Sequence, residues 1–269
     1  MSANCDYRFL QARWSEEVVE ITRASFATSA FVPHFHDGLA VGLVRSGTNV
    51  FRSSRKRIEV GKGSLCIVNA GEVHDGGLAG HPWSYDNMLV PWSLIVATAS
   101  ELGVAPELEN HCVDEPECVE AACAFFSLAH DDHEYGEQLE EAGFRLLGVL
   151  LRRYSVTRRR PVKPEPLLAT RGYELLRDRA DGRVTLADLE RSLGASRFQI
   201  IRAMQGHYGL TPHQLQLQLR VARARNLILT RMSIADAAFA CGFADQAHLT
   251  REMKRRWGIA PGRMLRNAS

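Results

Sequence analysis

The chain has 269 residues, 45% hydrophobic and 24% charged, with a formal net charge of +2. That is a globular composition long enough for two domains. No apolar run approaches the length that crosses a bilayer and the N-terminus lacks a signal-peptide core, so the reading is a cytoplasmic protein. Charge is unevenly placed. Residues 161–269 carry 18 Lys and Arg against 9 Asp and Glu, whereas residues 1–160 carry 15 against 22. A basic C-terminal part on an acidic N-terminal part fits a nucleic-acid binder joined to something that does not touch nucleic acid. The six cysteines, Cys5, Cys66, Cys112, Cys118, Cys123 and Cys241, show no CxxC pairing and read as small buried hydrophobes.

Residues from about 20 to 95 read as β. Short apolar runs at 39–44, 50–51 and 64–68 are separated by turns at Ser46-Gly47, Gly61–Gly63 and Asn69–Gly71, which predicts a sandwich or small barrel. Asp114 and Pro116 then mark the entry to a helix running to His130. A second helix runs from about Glu137 to Tyr154, with Leu139, Gly143, Leu146, Leu147, Leu150 and Tyr154 on one face. This stripe fits packing against the barrel, and a dimer seam is the alternative. Residues 157–166 hold three prolines in six residues and read as a linker.

The rest reads as helical. A helix from Leu167 to Ala180 ends at Asp181-Gly182. Thr185 caps Leu186–Leu193, Ser196 caps the next helix, and Thr211-Pro212 opens a long one to about Leu229, with Leu217, Val221, Ala224 and Ile228 on one side. Ser233 caps Ile234–Ala240, and Asp245 caps a last helix that Gly258 ends.

One segment here occurs twice. Gly194–Pro212 is echoed by Gly242–Pro261, with one residue inserted after the first Gly. Ser196 then matches Asp245, Ile200 matches Leu249, Arg202 matches Arg251 and Met204 matches Met253. Tyr208 matches Trp257, Gly209 matches Gly258 and Pro212 matches Pro261. Each copy reads helix, Gly turn, helix, the helix-turn-helix grammar of DNA binding. Two copies predict one chain reading two successive major-groove segments about one helical turn (~34 Å) apart.

A recognition helix buries one face and offers another to the groove. In copy two, Leu249, Met253 and Trp257 make the buried stripe, leaving Gln246, His248 and Arg251 as base readers. Lys254, Arg255 and Arg256 suit phosphates. In copy one, Ile200 and Met204 face inward, and Phe198, Ile201 and Arg202 face the groove. Phe and Ile would read thymine methyls, and Arg202 guanine or a phosphate. Ser196 and Arg197, at the helix start, complete the phosphate set.

At these residues the chain resembles the AraC/XylS family of bacterial transcription regulators. The pattern is Ile234-Ala-Asp-Ala-Ala-Phe-Ala-Cys-Gly-Phe243-Ala-Asp245-Gln-Ala-His248-Leu-Thr-Arg251-Glu-Met-Lys254, then Gly258-Ile-Ala-Pro261, and the match covers about Leu167 to Arg266. Ala247 departs from a frequent small polar residue, Leu249 and Met253 from a frequent Phe, and Ala260 from a Thr before Pro. Ile201 is apolar where relatives often carry a polar base reader, so the base preference of copy one is the least transferable feature.

His34 and His36 point the same way if both lie on a strand. The segment Gly63–His74 repeats the spacing of the second cupin motif. Together these resemble the cupin-type effector-binding barrel of many AraC-like regulators, over about residues 15–100. The resemblance implies an effector pocket, with His34, His36, His74, Trp83, Tyr85 and Trp92 as lining candidates. Three imidazoles also make a set for Zn²⁺ or a similar ion. The Glu that catalytic cupins carry beyond HxH is missing, since Ala40, Val41 and Gly42 stand there. Three readings compete: a metal-free pocket, a metal used in sensing, and catalysis.

The expected fold class is therefore α+β. A cupin-like β-barrel is followed by two helices, then by an all-α domain with two helix-turn-helix units joined by a long helix. The expected domains are 1–155 for effector binding and dimerisation, 156–166 as linker and 167–269 for DNA binding. The expected function is sequence-specific transcriptional regulation controlled by a small molecule. The expected partners are double-stranded promoter DNA, the effector, a second copy of the chain, and RNA polymerase if it activates, with no membrane. No cofactor is required, apart from the divalent ion that the barrel histidines would hold. Two alternatives are a metal-dependent cupin enzyme with an accessory helical domain, and a non-specific architectural protein.

Overall fold

The computed structural model describes residues 7–14, 16–27, 31–53, 56–77, 80–130, 136–156, 164–179 and 184–266. Two compact units divide at Arg159/Arg160. Hydrogen bonds place Phe31–His34 in the sheet of the first unit.

The first unit has ten strands among the described residues: β1 Tyr7–Trp14, β2 Glu17–Phe26, β3 Phe31–His34, β4 Gly38–Ser46, β5 Thr48–Ser53, β6 Lys56–Gly61, β7 Leu65–Val68, β8 His74–Gly76, β9 Trp83–Pro91 and β10 Cys112–Val113. They form a six-stranded sheet, β1-β2-β9-β4-β7-β10, and a four-stranded sheet, β3-β8-β5-β6. β-structure thus starts at Tyr7 rather than near residue 20.

Alternation along the strands separates two cores. Ala40, Val44, Phe51, Val60, Cys66 and Val68 make one cluster. Leu39, Val41, Leu43, Leu65, Ile67, Met88 and Val90 point the other way, into the larger cluster shared with three helices. These are α1 Trp92–Leu102, α2 Pro116–Ala129 and α3 Gly136–Tyr154. The first is an addition to the expected elements. The second opens at Glu115, not Asp114, with no side-chain cap, and Pro116 fits the first turn because no donor is needed there.

Leu146, Leu147 and Leu150 of α3 are fully buried inside the larger cluster. The apolar stripe is core, and the dimer-seam alternative for it fails because these side chains have no surface to offer. Gly143 sits on the same face because the Trp14 ring crosses it; an added Cβ would lie 2.0 Å from that ring. Cys66, Cys118 and Cys241 are buried as expected, but Cys112 and Cys123 are exposed. Cys5 lies outside the described residues.

The second unit has seven helices among the described residues: α4 Pro164–Asp178, α5 Leu186–Leu193, α6 Arg197–Tyr208, α7 Pro212–Leu229, α8 Ile234–Ala240, α9 Gln246–Trp257 and α10 Pro261–Arg266. The linker expectation is corrected at its end: residues 164–166, with two of the three prolines, form the first turn of α4. Proline is tolerated there because first-turn N–H groups have no intrahelical partner. Residues 157–163 lie outside the described residues. Helix α4 packs on α5, α6 and α7, and Gly172 leaves room for the Met204 methyl, which a Cβ would approach to 2.2 Å.

Replacing Gly143 by Ala forces the added methyl into a fully buried indole. The full chain should lose about 1–3 kcal/mol of unfolding free energy in urea. An unchanged midpoint and slope would mean that the α3–Trp14 contact is not tight.

Candidate DNA-recognition and effector sites

The two copies fold alike, and the same local devices set their ends. Thr185 caps α5 in a reciprocal box with Asp188, and Gly194 ends it at φ 65°. Ser196 caps α6 in a box with Gln199, and Gly209 ends it at φ 69°. In the second copy Ser233 caps α8, Asp245 caps α9 and Gly258 ends α9 at φ 68°. Pro212 and Pro261 then open the helices that follow.

The buried faces also match. Ile200 and Met204 are 1% and 0% exposed, and Leu249 and Met253 are both 0% exposed. Helix α7 packs on helices of both copies. Its buried Arg225 lies 4.3 Å over the Trp257 ring, a cation–π contact that fixes the end of α9. Arg220 Nη1 donates to the Gly242 carbonyl at 3.4 Å, joining the turn of copy two to the same helix.

With those faces fixed, the other side of each recognition helix points outward. Gln246 and Arg251 are exposed on α9, and Arg251 makes no ion pair among the described residues. Lys254 is exposed beside them. His248 is half-buried, its ring edge-on to Phe243 at 5.3 Å, so it stands less free than the other two. Arg255 is exposed and lies 3.5 Å from Glu252.

Arg256 is a correction to the phosphate set. It is 6% exposed, and its Nη1 donates to the Glu252 carbonyl and carboxylate one turn back. The i,i+4 spacing puts both side chains on the buried side of α9.

On α6, Ile201 is half-buried and Arg202 exposed. Together with Gln199 and Gln205 they line a depression of about 360 Å³. Gln205 was missed in the sequence; it lies one turn beyond Ile201 and Arg202, and only its helical spacing could have signalled it. Ser196 is engaged as a cap, and Arg197 pairs with Glu190 at 3.4 Å. The Phe198 side chain lies outside what the structure describes.

In the first unit the three expected histidines come together. One ligand-capable atom from each of His34, His36 and His74 lies within 4.8 Å of the others. His36 is not on a strand; it follows the end of β3, so the same-face argument does not account for its position. His34 Nδ1 lies 2.8 Å from the Val32 carbonyl and His74 Nδ1 3.1 Å from the Glu72 carbonyl. A carbonyl only accepts, so each Nδ1 carries the proton and each Nε2 keeps its lone pair. Burial pushes the His74 pKa below that of a free imidazole, which favours the neutral ligand form. The donor set fits a divalent ion such as zinc.

Trp83 stacks on Phe26 and on Tyr85, at ring separations of 4.9 Å and 5.0 Å. The Tyr85 ring also lies against Gly42, where a Cβ would come 2.6 Å from Cys66 Sγ and 3.1 Å from Tyr85. Trp92 heads α1 and packs on the helix-side core instead, which removes it from the barrel pocket. Asn49 was missed by sequence reasoning. It is 7% exposed, its side chain hydrogen-bonds the Cys66 thiol, and its Oδ1 has no partner among the described residues. Burial pushes that thiol up to about 11. An unsatisfied buried carbonyl oxygen of this kind is a feature that hydropathy alone does not reveal.

Residues 18–147 match the model of the AraC-like ligand-binding domain, and residues 189–267 match a helix-turn-helix domain model. The chain is 25% identical to the uncharacterized HTH-type transcriptional regulator YbfI of Bacillus subtilis (strain 168), covering 86% of each chain. It is 24% identical to the HTH-type transcriptional activator RhaS of Klebsiella pneumoniae (strain 342), covering 87% of each. In fold it is similar to ToxT from Vibrio cholerae, with a TM-score of 0.59 at 13% identity, over 93% of this chain and 99% of that one. The ligand-binding domain, the tandem helix-turn-helix units and their order agree: the chain belongs to the AraC family of transcriptional regulators, with an N-terminal ligand-binding domain and a C-terminal DNA-binding domain.

Proposed function

We propose that this regulator reads promoter sequence with Gln246, His248 and Arg251 of α9 and with Phe198, Ile201 and Arg202 of α6. Ser196, Arg197, Lys254 and Arg255 hold the phosphates. The observation that carries this reading is the exposed Gln246–Arg251 face opposite a fully buried Leu249–Met253 stripe. Gln and Arg make two-pronged hydrogen bonds to adenine and guanine edges. The protein acts in the cytoplasm as a homodimer and engages RNA polymerase where it activates. A small effector enters the barrel beside Asn49, Trp83, Tyr85 and the histidines. It acts by binding DNA-competent and incompetent arrangements with different affinity. Sensing rather than catalysis is the role of the barrel, because Ala40–Gly42 offers no carboxylate where catalytic cupins carry one.

The geometry of His34, His36 and His74 favours a second element, a bound divalent ion that organises the pocket for its effector. Purified full chain, equilibrated with Zn²⁺ and desalted, should retain close to one ion per chain. The His34→Ala, His74→Ala variant should retain none. A wild-type chain without retained metal would leave the metal-free pocket as the working site.

Arg251→Ala should cost about 1–3 kcal/mol of specific binding and relax preference at one base pair, measured on a panel of duplexes at fixed salt. Equal weakening on every duplex would reassign it to a phosphate. Lys254→Ala should lower the slope of log affinity against log salt by about 1, whereas Arg256→Ala should leave that slope unchanged. A salt slope reduced by Arg256→Ala would return that side chain to the DNA-facing set.

A further inference from the structure

The helix-facing side of the six-stranded sheet holds a second site that the barrel interior does not explain. Strand register sets Arg8 opposite Arg23, Arg23 opposite Asp86 and Asp86 opposite Leu43, so these side chains share one face. Arg45, two residues after Leu43 and at a bulge between Val44 and Ser46, reaches the same row. Asp86 is 0% exposed. Its Oδ1 accepts from Arg23 Nε at 2.6 Å and lies 3.2 Å from His130 Nε2. Its Oδ2 accepts from Arg23 Nη2 at 3.0 Å and from Arg45 Nη1 at 2.8 Å. Burial alone would raise the Asp86 pKa, but His130, Arg23 and Arg45 hold it well below the ordinary carboxylate range. Asp86 is therefore ionised and fully used.

The cations are not. An arginine has five N–H donors, and among the described residues Arg23 spends two groups and Arg45 one. Arg8 Nη1 donates to the His130 carbonyl at 3.4 Å and is not among the residues that line the cavity. The His130 side chain is 3% exposed, and its Nδ1 has no hydrogen-bond partner among the described residues. Arg23, Arg45 and His130 line a cavity of about 450 Å³ together with Leu43, Cys123, Phe126 and Ser127. One aspartate against two arginines leaves a net positive charge beside an apolar wall.

We propose that this cavity binds a small organic monocarboxylate, its carboxylate on Arg23 and Arg45 and its apolar body against Leu43 and Phe126. A single negative charge balances the residual charge of the two arginines over Asp86. A phosphate dianion would bring a second charge next to that buried carboxylate. Asp131, Asp132 and Glu134 follow His130 directly in sequence and lie outside the described residues.

Titration calorimetry on the full chain with benzoate and octanoate tests the site, with benzamide and inorganic phosphate as controls. Saturable binding of at least one carboxylate, absent for benzamide and phosphate, is expected. Arg45→Gln should weaken it at least tenfold, since that side chain is half exposed and its loss spares the core. His34→Ala should leave it unchanged, which separates this site from the barrel pocket, and specific DNA binding without carboxylate should persist in Arg45→Gln. No saturable carboxylate binding, or equal binding by Arg45→Gln, would overturn the proposal. Binding that appears only after Asp131→Asn and Asp132→Asn would also overturn it, by showing that the chain itself fills the cavity.

Discussion

Each recognition helix must bury one face in order to aim the other. Ile200 and Met204 in α6, and Leu249 and Met253 in α9, are out of solvent. A one-residue slip of either helix would turn each side chain by about 100° and expose a Met in place of an Arg. Caps and left-handed glycines prevent that slip. Ser196 and Asp245 fix where the helices begin, and Gly209 and Gly258 fix where they stop. Helix α7 then holds the second copy through Arg225 on Trp257 and Arg220 on the Gly242 carbonyl. Base-reading chemistry is thus a consequence of packing: Arg251 points outward because Met253 and Leu249 cannot.

The first unit obeys a parallel rule with a period of two. Along β9, Trp83 and Tyr85 face the Gly42 side while Asp86, Met88 and Val90 face the helices. Two chemically different surfaces therefore come from one strand. The interior side carries aromatic rings and the Asn49–Cys66 pair. The helix side carries a buried carboxylate that is tolerable only because two arginines and the His130 ring surround it.

The DNA-binding unit was largely legible in the sequence because its signals are local. Caps, glycines and apolar spacing each lie within a dozen residues, and the duplication checks them against one another. Arg256 escaped because its charge suggested solvent, while its i,i+4 partner Glu252 makes a buried pair. Helix α1 escaped for another reason: it follows β9 directly, has no side-chain cap, and its Ile95, Val96 and Thr98 suit a strand equally well. The prolines at 164 and 166 read as breakers, yet the first turn of a helix accepts them. Periodicity showed that α3 has an apolar face but not what covers it; the Trp14 ring over Gly143 decided that. The Asp86 cluster was invisible, since Arg23 and Arg45 stand 63 and 41 residues away and only strand register unites them.

The central claim is that two structurally equivalent modules each present a base-reading face. Guanine-N7 methylation protection on a duplex selected by the full chain tests this most directly. The account predicts two protected major-groove patches about one helical turn apart, one lost with Arg202→Ala and the other with Arg251→Ala. A single patch, or two patches that weaken together in either variant, would contradict it.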